Sequence, residues 1–137
     1  MADLKHKGVT DGIIGAFYHV YNALGYGFLE KVYENALSHE LKLRGFMVAV
    51  QEPITVWYKD VAVGEYFADL LVNRCVIVEL KSGVGLSTAH EAQLINYLKA
   101  TGMEVGLLLN FGPKPQVKRK VFTQPPEISA KVPRESA

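Results

Sequence analysis

The stretch CVIVELKSG, Cys75 to Gly83, constrains this chain more than any other. Cys75, Val76, Ile77 and Val78 form a short apolar run rich in β-branched residues, which predicts a strand buried on both faces. The run ends in a carboxylate, Glu79, and a lysine two residues on, Lys81, which a strand points to the same face of its sheet. Burying either charge alone would cost on the order of several kcal/mol. Some other group must share that face.

The rest of the chain supplies the frame. Its 137 residues fit one domain, long enough to bury about two thirds of the surface of the unfolded chain. No run of about 18 apolar residues occurs, so no membrane span is expected. The opening MADLKHKGVTDG lacks the charged-then-apolar order of a signal peptide. The lone cysteine, Cys75, excludes an intrachain disulfide and a cysteine-based zinc site. These features together lead us to expect a cytoplasmic protein. The net charge of +1 neither favours nor excludes nucleic acid, because a local basic patch can hide in a neutral total.

Periodicity predicts the elements. Ile13, Phe17, Val20 and Leu24 recur at helical spacing behind a cap at Thr10 or Asp11, and the GYGF stretch (25–28) breaks that helix. A second helix is expected from Leu29 to Arg44, with Gly45 as its stop. Met47–Tyr58 and Val61–Tyr66 predict a hairpin turning at Lys59-Asp60, with Pro53 at an edge or irregular position. Phe67–Val72 and Cys75–Leu80 predict a further strand pair. A helix over Thr88–Thr101, capped by Ser87 or Thr88 and stopped by Gly102, precedes a strand over Val105–Phe111. We expect residues 1–122 to form the domain and 123–137, with prolines at 125, 126 and 133, a flexible tail.

Asp69, in YFADLLV, is the candidate partner for Glu79 and Lys81. A strict two-residue turn at Asn73-Arg74 would pair Asp69 with Val78 and send it to the wrong face. An odd loop, Asn73-Arg74-Cys75, pairs it with Glu79. Two adjacent carboxylates repel unless a cation joins them, and oxygen ligands at this spacing suit Mg²⁺ or Mn²⁺. The pattern equally admits a buried Asp-Lys-Glu ion network with no metal.

Asp69 followed by Glu79-Leu80-Lys81 resembles the catalytic core of the PD-(D/E)XK nuclease superfamily. GFLEKVY, Gly27 to Tyr33, is similar to the Gly-x-x-Glu-x-x-Tyr signature of the GxxExxY proteins, and HEAQLINYLKATGMEVGLLLNFG (90–112) resembles their third segment. The resemblance spans roughly residues 8 to 122. It implies an α/β fold, a restriction-endonuclease-like mixed β-sheet core flanked by α-helices. It also implies Asp69, Glu79 and the Leu80 carbonyl as metal ligands. Lys81 would orient or help deprotonate the attacking water and stabilise charge on the phosphate. Where that pattern often has a small apolar residue after the lysine, this chain has Ser82.

Glu30 and Glu34 lie one turn apart on the second helix. Helix-dipole complementarity in the first turn accounts for Glu30 by itself; the resemblance makes it an outer metal ligand, with Glu34 as second choice. Gln93 and Tyr97 are one turn apart on the later helix. The resemblance points Gln93 at Lys81 or the phosphate, and Tyr97 reads as core, as does Tyr33. His6, His19, His39 and His90 lack zinc spacing. GVGLS (83–87) lacks the lysine ending of a phosphate-cradling loop. The basic cluster KPQVKRK (114–120) reads as a solvated strand edge or a phosphate-contacting stripe.

The expectation is therefore a metal-dependent nuclease that hydrolyses phosphodiester bonds, with Mg²⁺ or Mn²⁺ as cofactor, DNA as substrate, and Lys81, Asp69, Glu79 and Gln93 as catalytic residues. The competing expectation is a non-catalytic nucleic-acid- or protein-binding module that keeps the fold. Modest net charge and the want of a recognition module favour a homodimer or a partner protein in either case.

Overall fold

A computed structural model describes residues 5–123. The elements run α1 (Lys7–Leu24), α2 (Glu30–Leu43), β1 (Val48–Tyr58), β2 (Val61–Val72), β3 (Val76–Lys81), α3 (Thr88–Thr101), β4 (Val105–Phe111) and β5 (Pro115–Val121). The strands form one five-stranded sheet in sequence order. β3 and β4 are parallel, joined by the α3 crossover, and every other neighbouring pair is antiparallel. The architecture is the expected mixed sheet with helices on its faces.

Two apolar clusters sandwich the sheet. Leu70, Val72, Val76, Val78 and Leu80 pack with Ile13, Phe17, Tyr33, Leu37 and Leu41 of α1 and α2. Leu71 and Ile77 face the other way, onto Leu94, Tyr97 and Leu98 of α3. Strand β3 is thus covered on both sides, as its unbroken apolar run requires. Gly106 lets α3 lie close to β4: a Cβ there would stand 2.7 Å from Leu94 Cδ1.

Several expectations are corrected. Helix α1 starts at Lys7 with His6 as N-cap and no side-chain cap, rather than at Thr10 or Asp11. The Thr10 hydroxyl instead donates to the Lys7 carbonyl (3.1 Å), and Asp11 pairs with Lys7 (2.5 Å), which extends the helix backward by a turn. The segments expected as separate strands, Val61–Tyr66 and Phe67–Val72, are one continuous strand. Cys75 lies half-buried in the loop before β3. The basic cluster does lie on a strand edge, as the first of its two expected readings had it: it falls on the edge strand β5. Apart from Thr123, the expected tail lies outside the described residues.

Other signals read true. Lys59 and Asp60 both adopt positive φ in the hairpin turn, Gly45 does so after α2, and Ser87 caps α3 in a reciprocal box with His90.

One irregularity matters most. Along β2, Leu70 and Leu71 face opposite clusters as alternation demands, yet Ala68 joins the α3 cluster although it is two residues from Leu70. Ile54 on β1 makes the same switch relative to Val48. Between them Gln51 has φ 53°, a left-handed backbone rare for a side-chain-bearing residue. Ladder pairs run from Val48↔Val72 to Val50↔Leu70 and resume at Glu52↔Ala68, omitting the Gln51–Asp69 position. The hairpin turns over at this point, so its outer half packs on α3. Asp69 sits at the break.

Candidate functional site

The loop between β2 and β3 is the odd one, residues 73–75, with Asn73 and Arg74 both at positive φ. The register Leu70↔Val78 therefore sets Asp69 opposite Glu79. Here the ladder ends and the side chains take over. Asp69 N–H donates to Glu79 Oε2 (2.9 Å), and Leu80 N–H donates to Asp69 Oδ2 (2.8 Å). Each carboxylate satisfies a main-chain donor on the opposite strand that the diverging sheet no longer pairs. One oxygen of each remains: Asp69 Oδ1 receives a long 3.3 Å bond from Gln51, and Glu79 Oε1 has no hydrogen-bond partner among the described residues.

The electrostatics follow. Burial, then the Asp69 charge, push Glu79 up to about 8, and burial raises the Asp69 carboxyl as well. Lys81 is half-buried and lowers both through space, but makes no ion pair with either among the described residues. The tight three-charge ion network is not what this geometry presents.

Glu30 and Glu34 stand in different surroundings. Glu30 is exposed at the start of α2, near enough for its charge to raise Glu79. Glu34 is 4% exposed, pairs with Lys31 (2.6 Å) and accepts from Gln51 Nε2 (2.7 Å). A relay thus runs Lys31, Glu34, Gln51, Asp69. Among the described residues no group of three or more His, Cys, Asp and Glu side chains is arranged to hold a metal ion. The nearest acidic pair is Asp69 with Glu79. Gln93 is directed at neither Lys81 nor the carboxylates: its Nε2 donates to the Tyr97 hydroxyl (3.0 Å) along α3. Tyr97 is buried as expected, but burial and the charges of Glu79 and Asp69 push its phenol up to about 12, so it borders the site.

Two residues that sequence reasoning passed over hold the site in shape. Gln51 is one; its polar side chain amid VAVQEPITV was the available signal. Asn110, fully buried opposite Lys81, is the other. It accepts from Gly83 N–H and donates to the Gly83 carbonyl and to Gln116, each at about 3 Å, which ties down the loop leaving Lys81. That loop presses on Gly112, where a Cβ would fall 1.9 Å from the Gly83 oxygen. In GFLEKVY, Gly27 has φ 111°, and the Tyr33 hydroxyl closes the turn by donating to the Gly25 carbonyl (2.7 Å) and accepting from Phe28 N–H (3.2 Å).

Comparison with known proteins agrees with the fold. The family model of the PD-(D/E)XK nuclease superfamily matches residues 7–120. A search of curated proteins finds no match. The crystal structure of SSO0001 is similar in fold, with a TM-score of 0.54 at 16% identity, over 78% of this chain and 55% of that one. This chain therefore spans little more than half the length of that protein. Among the described residues no helix is long and apolar enough to cross a membrane.

Proposed function

Since the chain belongs to the PD-(D/E)XK nuclease superfamily, we propose that it is a metal-dependent nuclease that hydrolyses phosphodiester bonds in DNA, working at the fork between β2 and β3. The observation that carries this reading is the pair of carboxylates there, each with one oxygen engaged by the backbone and the other held by no more than a long bond from Gln51 among the described residues. The donor set fits a hard divalent cation. Nucleases of this superfamily generally use divalent metals, and Mg²⁺ is commonly held by one or two carboxylates with water completing its shell. Asp69 and Glu79 would supply those carboxylates. The Leu80 carbonyl is a third oxygen, since in a pleated strand it shares the side of the Leu80 N–H that Asp69 accepts. When bound, Mg²⁺ or Mn²⁺ supplies a Lewis acid for the phosphoryl oxygen and a water of lowered pKa.

The chain's own residues do the rest. Lys81, which has no ion pair among the described residues, can orient the attacking water and neutralise charge that develops on the phosphate. Glu30, exposed and near enough for its charge to act on Glu79, would hold an outer water. Gln51 keeps the Asp69 carboxylate turned toward the fork, and Glu34 holds Gln51. We read the chain further as a GxxExxY protein: Gly27 and Tyr33 shape the turn that carries Glu30 into position. Of the basic cluster, Lys120 pairs with Glu91 and Arg119 with the Lys5 carbonyl, while Lys118 stays exposed for a phosphate. A homodimer or partner protein would supply substrate recognition, in the cytoplasm.

A second reading has one observation in its favour. The reciprocal bonds of Asp69 and Glu79 to the backbone would secure the fork even in a module that binds nucleic acid or protein without cutting. Cleavage assays with single-stranded, duplex and branched DNA in Mg²⁺ or Mn²⁺ decide between them. The nuclease reading expects metal-dependent products that Asp69→Asn loses; intact substrate throughout would favour the binding module.

A further inference from the structure

A groove of about 830 Å³ runs between α3 and the outer half of the β1–β2 hairpin. It exists because the hairpin turns over at Gln51 and Asp69, which brings Tyr66 to face α3, and because the ladder shifts between Val56 and Trp57, which brings Trp57 to the same face. Its walls are the rings of Trp57, Tyr66 and Tyr97, with the amides of Gln93 and Asn96 beside them. Tyr66 is 46% exposed and its ring lies 5.7 Å from that of Tyr97. Gln93 spends one N–H on Tyr97, and the Asn96 amide has no hydrogen-bond partner among the described residues. Neither amide is engaged across the groove.

The groove does not stand apart from the carboxylates. Tyr97 lines it and also feels the charges of both Glu79 and Asp69, so groove and fork adjoin. A strand whose phosphate lies at the fork must place a neighbouring nucleotide close by. The exposed Tyr66 face, with the half-buried Trp57 ring and the Asn96 amide beside it, offers what an unpaired base uses, a stacking platform and edge hydrogen bonds. A base within a duplex is already stacked and paired, and cannot enter such a groove without being extruded. Resting on the nuclease reading for its location, we propose that this groove takes an unpaired nucleobase of the substrate strand, so that the protein acts on single-stranded or branched nucleic acid in preference to continuous duplex.

Trp57 is the sole tryptophan of the chain and lines the groove, so its fluorescence reports occupancy without any cleavage. The titration uses a short single-stranded DNA, its RNA counterpart and a blunt duplex of the same sequence, in metal-chelating buffer. Saturable quenching by a single strand is expected, with the duplex far weaker. Tyr66→Ala, at a half-exposed position, should fold normally by circular dichroism and weaken single-strand binding about 5- to 150-fold, the range for losing one stacking partner; Asn96→Ala should weaken it less. Quenching that is absent, equal for the duplex, or unchanged in folded Tyr66→Ala overturns the proposal. Glu79→Gln, which keeps an oxygen for the Asp69 N–H and lies outside the Gln51 break, keeps the groove and should still be quenched. Quenching without any cleavage would therefore defeat the nuclease and spare the groove, while cleavage without quenching would do the reverse.

Discussion

Lys81 stands in the field of two carboxylates and pairs with neither, which decides what its loss should do. Breaking a buried ion pair costs roughly 3–5 kcal/mol because a charge is stranded. Here nothing is stranded by direct contact, so Lys81→Ala should shift urea unfolding little, within about 1 kcal/mol, the scale of a weak surface interaction. The same variant should cut cleavage by about 100-fold or more, as expected for removing one electrostatic or proton-transfer group. Strong destabilisation would return the cluster to a structural ion network. Glu79 gives a second test. Its folded pKa, about 8, lies above its ordinary 4.5, so the folded protein binds the extra proton between those values. Stability of the metal-free protein should be fullest below about pH 4.5 as far as this group is concerned, and should fall as pH rises toward 8. Glu79→Gln should flatten that slope in a urea series across pH; an unchanged slope would place the titration elsewhere.

At the scale of the elements, the Gln51 break separates what could be read in the sequence from what could not. The parity argument for Asp69 and Glu79 needed only the side-chain period of two and an odd loop, and the structure has that loop. Helix α3 and strand β4 were legible to the residue, because a serine cap, a glycine stop and an unbroken apolar run are local signals. The turn-over of the hairpin at Gln51 was not. Nothing in VAVQEPITV marks a glutamine at φ 53°, since the conformation is imposed by Glu34 and Asp69, 17 and 18 residues away. Gln93 was misdirected for a related reason, as its hydrogen bond stays within its own helix. The break can be tested. Gln51→Gly and Gln51→Val both lose the bond to Glu34, but only glycine relieves the backbone, so Gln51→Val, β-branched in a left-handed position, should be roughly 1–3 kcal/mol less stable than Gln51→Gly by urea unfolding. Equal stability of the two would argue against strain there. Gly112→Ala should likewise cost about 1–3 kcal/mol, because its methyl would meet the Gly83 carbonyl.

For the molecule as a whole, the sheet does two things at one point. Covered on both faces, it is rigid where β3 and β4 run parallel, and it opens where β2 leaves β3. The opening frees the two carboxylates from the ladder, creates the groove against α3, and leaves a fork that a cation could close. The fold class was legible because alternating helices and apolar strands admit few arrangements; the groove was not, because it depends on the tertiary path of one hairpin. The most direct measurement of the central claim is thermal unfolding with and without Mn²⁺ or Mg²⁺, for the wild type and for Asp69→Asn. A cation bound by the folded fork stabilises it by mass action, about 2.7 kcal/mol at a hundredfold excess over Kd. The account predicts a higher melting temperature for the wild type in millimolar metal and no such gain for Asp69→Asn. Equal melting of the wild type with and without metal, or an equal gain in the variant, would contradict it.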